Sequence, residues 1–464
     1  MGGVQRIMAG AEIPFHFEQV FGEKPPTEEV QEADIISALD FDSTGNYIAT
    51  GDRGGRVVVL ERKGSNKKKK ATGKSSSSSF QEYSFYSAFQ SHEPAFDYLK
   101  SLEIEEKINQ VRWMRRQNSA HILLTTNDKT VKIWKLQEKC ARISAELNVP
   151  VHPNGTRMGG LSKQPPVSSL RVPRVVRGEP MVQITPRRVF ANAHVYHINS
   201  ISLNCDQETF LSADDLRINI WNVSHSDSCF NVVDIKPDNF DDLMEVITSC
   251  TFHPLECHTL AYATSRGRIR LVDLREKAIC DHPAREFEEP SSSETQSFFN
   301  EVVASVSDVV FSSDGKYMLS REYMCLKLWD LAMEKKPVVS VNVHEHIRSK
   351  LCDLYENDCI FDKFECAFSG SGSHMLTGSY SNNFHVFDKN VTTDMCFEAS
   401  KLAPKKAKVI TRKIGPGVKK KESAFAGVPD FGKKVLHVGW HPTENTIAMG
   451  SQNLLYIYHA PSSH

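Results

Sequence analysis

Three groups of residues in this chain have types and spacings that could do chemistry. Asp214-Asp215 offers paired carboxylates for acid–base work, and His344-Glu345-His346 offers two imidazoles around a carboxylate. Cys352, Cys359 and Cys366 recur every seven residues, a set of soft ligands near those histidines. None of the three completes a reactive centre. The histidines lack the i, i+4 spacing that puts two ligands on one helix face, and zinc sites use closer paired ligands than one cysteine in seven. The sequence contains no Gly-rich phosphate loop with its terminal Lys, no G-x-S-x-G elbow and no H-E-x-x-H, so nothing assembles nucleophile, base and oxyanion donor. Neither a catalytic residue nor a metal or other cofactor is expected.

The elements that carry these residues repeat. Seven times an alternating run closes a unit: Arg56–Leu60, Val131–Trp134, Ile218–Trp221, Ile269–Val272, Leu326–Trp329, Phe384–Phe387 and Leu455–Tyr458. Each is preceded by a run ending in small residues, such as Tyr47–Gly51 or Phe210–Ala213, and before that by a third, such as Ser37–Phe41 or Ser200–Leu203. Period-two alternation reads as strand, and Asp, Asn and Gly at Asp52-Arg53-Gly54-Gly55, Asp214-Asp215 and Ser381-Asn382-Asn383 suit tight hairpin turns. The bland role of such a turn aspartate is to hydrogen-bond its own backbone. Three strands in the same order seven times predict an all-β, seven-bladed propeller occupying 1–464 as one domain. Residues 14–21 alternate as the outermost strand of the last blade would require.

The chain has 464 residues, with Lys+Arg 56 against Asp+Glu 57 and a formal charge of −1, so any electrostatic recognition has to be local. Neither nucleic acid nor membrane is an expected partner. The eleven cysteines include no C-x-x-C pair, which fits reduced thiols. With no apolar leader and no long apolar stretch, a cytoplasmic placement is expected, with the nucleus as a second compartment. Three insertions stand out. The Lys- and Ser-rich 63–79 and the basic 401–421 read as mobile loops. The segment 138–171, mixing Leu147, Val149, Val151, Met158 and Leu161 with prolines, reads as a hairpin arm for another protein. The stretch from Phe96 to Lys107 reads as a short helical excursion because its apolar members lie three and four apart.

The words Glu32-Ala33-Asp34-Ile35-Ile36-Ser37, Phe89 to Pro94, Phe96 to Asn109, Leu211-Ser212-Ala213-Asp214-Asp215-Leu216-Arg217-Ile218-Asn219 and Leu354 to Cys366 resemble the WD-repeat B-type regulatory subunit of serine/threonine protein phosphatase 2A. The resemblance runs from about residue 30 onward, and departs at 63–79 and 155–166. It implies a non-catalytic, substrate-selecting member of a heterotrimer, beside a helical-repeat scaffold subunit and a metal-dependent catalytic subunit. It also implies that Leu147, Val149, Val151, Met158 and Leu161 of the arm grip the scaffold. An acidic top-face groove for basic phosphoprotein substrates would comprise Glu32, Arg53, Phe96, Glu105, Glu106, Lys107, Tyr196, His197, Asp215, Leu243, Tyr355, Asp358 and Lys363. Arg53 stands where many members carry Lys. The rival reading is a generic WD-repeat adaptor, such as a substrate receptor for ubiquitin transfer.

Overall fold

The computed structural model describes residues 13–25, 27–64, 80–98, 100–116, 118–145, 174–280, 282–289, 298–391, 393–401, 408–411 and 429–461. Their strands form seven antiparallel sheets of four or five strands and one two-stranded ribbon. Blade 1 contains Ile36–Phe41, Tyr47–Asp52, Arg56–Arg62 and Tyr83–Gln90, in that order from the axis outward. Blades 2 to 6 repeat the pattern, beginning at Gln110–Trp113, Ser200–Leu203, Ile247–Phe252, Val306–Phe311 and Cys366–Phe368. Blade 7 takes Val435–Trp440, Thr446–Ser451 and Leu454–His459 from one end of the sequence and His16–Phe21 from the other. That outermost strand runs antiparallel to Leu454–His459, Phe17 opposite Tyr458 and Phe21 opposite Leu455.

The first strand of each blade packs against the first strands of both neighbours, and that of blade 7 returns to blade 1, so the ring is closed. Side chains on these strands, or immediately before them, reach across to backbone N–H groups of the next. Asp40 Oδ2 accepts from Trp113 at 3.0 Å, Gln110 Oε1 from Ile201 at 2.8 Å, and Ser200 Oγ from Cys250 at 3.0 Å. Asp308 Oδ2 accepts from Cys366 at 3.0 Å and Glu365 Oε2 from Val438 at 3.2 Å. Each such contact satisfies a donor that blade-on-blade packing would otherwise leave unpaired.

Apolar side chains gather between blades. Leu39, Ile48 and Leu60 meet Ala448 and Ile457 between blades 1 and 7, and Leu211 and Ile218 meet Phe252 and Leu260 between blades 3 and 4. Because a middle strand is covered on both faces, every residue of Tyr47–Asp52, Thr259–Thr264 and Thr446–Ser451 is buried. The turns follow their chemistry: Ser381 and Asn382 both adopt left-handed backbone, with φ of 58° and 56°. Gly55 has φ +77°, and a Cβ there would stand 2.3 Å from the His92 carbonyl oxygen, so no other residue fits without a shift.

The third and fourth strands of blade 2, Val131–Ala145 and Arg174–Phe190, are far longer than their counterparts and stay paired out to Ala145 opposite Arg174. Leu147, Val149, Val151, Met158 and Leu161 lie beyond that point, outside the described residues, as do 65–79 of the Lys/Ser-rich insertion. Within the basic stretch 401–421, Lys408–Thr411 form a fifth strand on blade 6, paired with Thr393–Cys396, where a loop was expected. Residues 402–407 and 412–421 fall outside the described set. Among the described residues no helix is long and apolar enough to cross a membrane.

Candidate functional site: a charged groove at the mouth of the ring

The loops that enter each first strand, and the turns between second and third strands, share one face. Residues from four blades meet there. Arg53 follows the second strand of blade 1, its N–H donating to the Ile35 carbonyl at 3.0 Å, and its guanidinium pairs with Glu32 on the single turn Glu32–Asp34. Lys107 and Glu105 lie on the approach to blade 2, where Asn127 Nδ2 holds the Glu105 carbonyl at 3.1 Å. Glu106, half-buried, faces Gly55 of blade 1. Asp215 occupies the turn of blade 3, and Lys363 leads into blade 6.

These charges act on one another. Burial holds the Lys107 ammonium below its ordinary range; Arg53 and Lys363 repel it further, while Asp128 and Glu105 favour its charge. Lys363 touches solvent, yet protein atoms crowd its ammonium and lower it too, with Asp215 as the opposing charge. Burial raises the Asp215 carboxyl; Lys363 pulls it down, Asp214 pushes it up and His197 favours the anion. His197 Nδ1 stands 3.7 Å from Asp128 Oδ2. The mouth therefore alternates cations and carboxylates, and Asp215 is an incompletely solvated anion that gains from a further positive partner.

Apolar and aromatic surface borders this cluster. Phe96 sits on a β-ribbon, Ala95–Asp97 paired with Leu102–Ile104, and contacts Tyr98 edge to face at 5.1 Å. The expected helix over Phe96–Lys107 is thus corrected to a hairpin. Asp97 Oδ1 accepts from the Lys100 N–H at 3.3 Å and Ser101 takes φ 54°, so the chain turns back after one strand. Lys100 lies 5.7 Å over the Tyr196 ring, and the ammonium groups of Lys100 and Lys129 both donate to the Val195 carbonyl. Leu243 ends the turn Phe240–Asp242 in the loop before blade 4, and that loop rejoins the groove where the Ile247 N–H meets the Asp215 carbonyl at 2.8 Å. Tyr355, on the helix Leu351–Glu356, packs edge to face on Phe298 at 5.5 Å and lies 5.9 Å from Phe361. Asp358 caps the next turn in left-handed backbone, φ 56°. Sequence reasoning passed over Tyr98, 85% exposed, and the solvent-facing Phe240, Met244, Phe298 and Phe361. Their signal was available: large apolar residues set in otherwise polar connections.

The remaining chemical candidates are structural. His194 Nδ1 lies 2.9 Å from Asp214 and its Nε2 2.6 Å from Ser212 Oγ, which also accepts from Trp221 Nε1 at 2.8 Å. Despite the cost of burial, His194 and the Leu216 and Arg217 N–H groups hold the Asp214 carboxyl below its usual range. Asp214 thus pins its own blade while its neighbour faces the groove. His344 is fully buried, 3.0 Å from Ser379 Oγ, and burial and Arg321 keep its imidazole neutral. Of the three spaced cysteines one is exposed, one half-buried and one buried. Among the described residues no three metal-type side chains are placed to hold an ion.

A closed ring of such blades, with a charged groove at its mouth, defines a WD-type β-propeller. No family model matches the chain. It is 50% identical over 463 residues, covering 95% of this chain and 97% of the relative, to the B-type regulatory subunit of protein phosphatase PP2A from Schizosaccharomyces pombe. The chain belongs to this family of B-type PP2A regulatory subunits.

Proposed function

We propose that the chain acts without catalysis of its own, as the subunit of a heterotrimeric serine/threonine phosphatase that docks on a helical-repeat scaffold and presents phosphoproteins to a separate catalytic subunit. The long blade 2 hairpin is the arm for the scaffold, with Leu147, Val149, Val151, Met158 and Leu161 as its contacts. The groove selects substrates. The observation that carries this reading is Asp215, a crowded carboxylate at the ring mouth that burial raises and the Lys363 ammonium draws down. A Lys- or Arg-rich segment arriving there replaces lost hydration with a charge-assisted hydrogen bond. Phe96, Leu243 and Tyr355 offer apolar contacts on either side, and Glu32, Glu105, Glu106 and Asp358 extend the attraction.

The test is Asp215→Lys. Because this side chain is half-exposed and its neighbour Asp214 holds the turn, the variant should melt within a few degrees of the parent and co-purify with scaffold and catalytic subunits. Pull-down of a basic phosphoprotein should fall by roughly tenfold or more, as expected for reversing a partly desolvated charge at an interface. Undiminished capture would remove Asp215 from the substrate site. Failure to co-purify with a helical-repeat scaffold would instead overturn the assembly.

A further inference from the structure

The face opposite the groove carries two cysteines at corresponding places in successive blades. Tyr196 and His197 enter the first strand of blade 3 from the groove side, so Ser200–Leu203 ends on the far side and the turn 204–208 lies there. The same step in blade 4 puts the connection 253–258 on that side too. One buried side chain joins them. Asn204 Oδ1 accepts from the Cys205 N–H at 2.7 Å, and Asn204 Nδ2 donates to the Cys257 carbonyl at 2.8 Å. A single planar amide thus bridges the two cysteine backbones. The turns that carry the two cysteines are thereby held side by side across the seam between blades 3 and 4.

Access differs in a useful way. Cys257 is exposed and Cys205 half-buried beside it, whereas Cys250 and Cys366 are enclosed in strands. Burial raises the Cys205 thiol, and Cys257 is the next cause, which places the two sulfurs within each other's field. Burial pushes the Cys250 thiol up to about 12, leaving it unreactive by comparison.

We propose that Cys205 and Cys257 are an oxidation site, closing under a peroxide to a disulfide that fastens blade 3 to blade 4 on the face away from the groove. The Cys257 thiolate attacks one peroxide oxygen; the O–O bond breaks, hydroxide departs and takes a proton to become water, and Cys257 is left as a sulfenic acid. The Cys205 thiolate then attacks the Cys257 sulfur, the S–OH bond breaks, and the leaving hydroxide is protonated to a second water. Two thiols and one peroxide give one disulfide and two waters.

The reduced full-length chain is treated with hydrogen peroxide, alkylated with N-ethylmaleimide and mapped by mass spectrometry without reduction. A linked peptide joining Cys205 to Cys257 should appear, both sites should lose alkylation in parallel, and dithiothreitol should restore them. In Cys205→Ser, Cys257 should stop at a sulfenic acid trapped by dimedone; in Cys257→Ser, Cys205 should remain alkylated. Oxidation of Cys257 in the parent chain while Cys205 stays alkylated would overturn the proposal, as would linkage of either residue to a different cysteine. The readout is independent of scaffold or substrate binding, so it stands apart from the reading of the groove.

Discussion

Adjacent aspartates divide two tasks. Asp214 is locked by His194 and two backbone donors, while Asp215 points into a groove where burial has already raised its carboxyl. On the proposed reading a basic peptide would recognise only the ionised form, so its affinity should fall as pH drops through the raised Asp215 range. Lys363 sets the position of that fall. In Lys363→Met the cation that favours the Asp215 anion is gone, and so is a charge that repels the peptide. Binding at neutral pH should tighten, roughly threefold for one partly screened charge, and its decline on acidification should begin at a higher pH. Fluorescence anisotropy with a Lys/Arg-rich peptide over a pH series measures both, and curves that fall at the same pH in variant and parent would separate Lys363 from Asp215. The sequence identifies both aspartates as turn residues but cannot say which one faces inward, since that depends on the position of His194, twenty residues earlier along the chain. Arg53, Lys107 and Lys363 come from blades 1, 2 and 6, and only ring closure brings their charges into one field. The roles of the groove residues came from family resemblance; the spacing of the residues alone did not supply them.

At the scale of the element, the inner strands are legible and the outer ones much less so. A first, second or third strand is packed on both faces, so its aliphatic run and small-residue ending leave a strong pattern. The fourth strand borders solvent, and in blade 4 it shrinks to Arg285–Phe287, too short to show a period. The ribbon at Ala95–Ile104 was misread for a related reason: apolar positions three and four apart fit a helix, but so short a helix gains little without tertiary support. The axial contacts between blades invite a direct test. Asp308 is enclosed, and burial, reinforced by Glu365, pushes its carboxyl up to about 6. A raised folded value means the native state binds this proton more tightly than the unfolded chain does, so the charge at Asp308 lowers stability at neutral pH and the penalty lifts as pH falls from about 6 towards the ordinary value near 4. Asp308→Asn keeps an acceptor for the Cys366 N–H and discards the charge. It should raise the thermal midpoint at neutral pH, by up to about 2 kcal/mol in stability, with the advantage vanishing near pH 4. Asp308→Ala also discards the charge but orphans the Cys366 donor, at a cost of about 1–3 kcal/mol. Calorimetry of the two variants at both pH values decides the matter; identical behaviour would show that the hydrogen bond carries no weight.

For the whole molecule, the important join is where the two distant parts of the chain meet in blade 7. Phe15, 2% exposed, inserts beside Phe397 and Trp440 at ring-centre distances of 5.8 and 5.7 Å, and Asn453 Nδ2 holds the Gly22 carbonyl at 2.7 Å across a separation of 431 residues. Phe15→Ala should destabilise the propeller by about 3–5 kcal/mol, since the aromatic pocket spans blades 6 and 7 and cannot collapse around a methyl group. Deleting residues 1–24 should do more, baring the edge of Leu454–His459 and promoting self-association detectable by light scattering. A truncated chain that melts like the parent and stays monodisperse would show that the clasp is dispensable.

That clasp also imposes an order on biosynthesis. His16–Phe21 leaves the ribosome hundreds of residues before Leu454–His459, so it must wait, unmated and partly apolar, until the blades between and the strand it pairs with have emerged. A nascent chain in that interval is an open arc with two sticky edges. Premature termination anywhere upstream of Leu454 would strand it there, making synthesis of Leu454–His459 the checkpoint that separates a closed wheel from a substrate for chaperones and proteases.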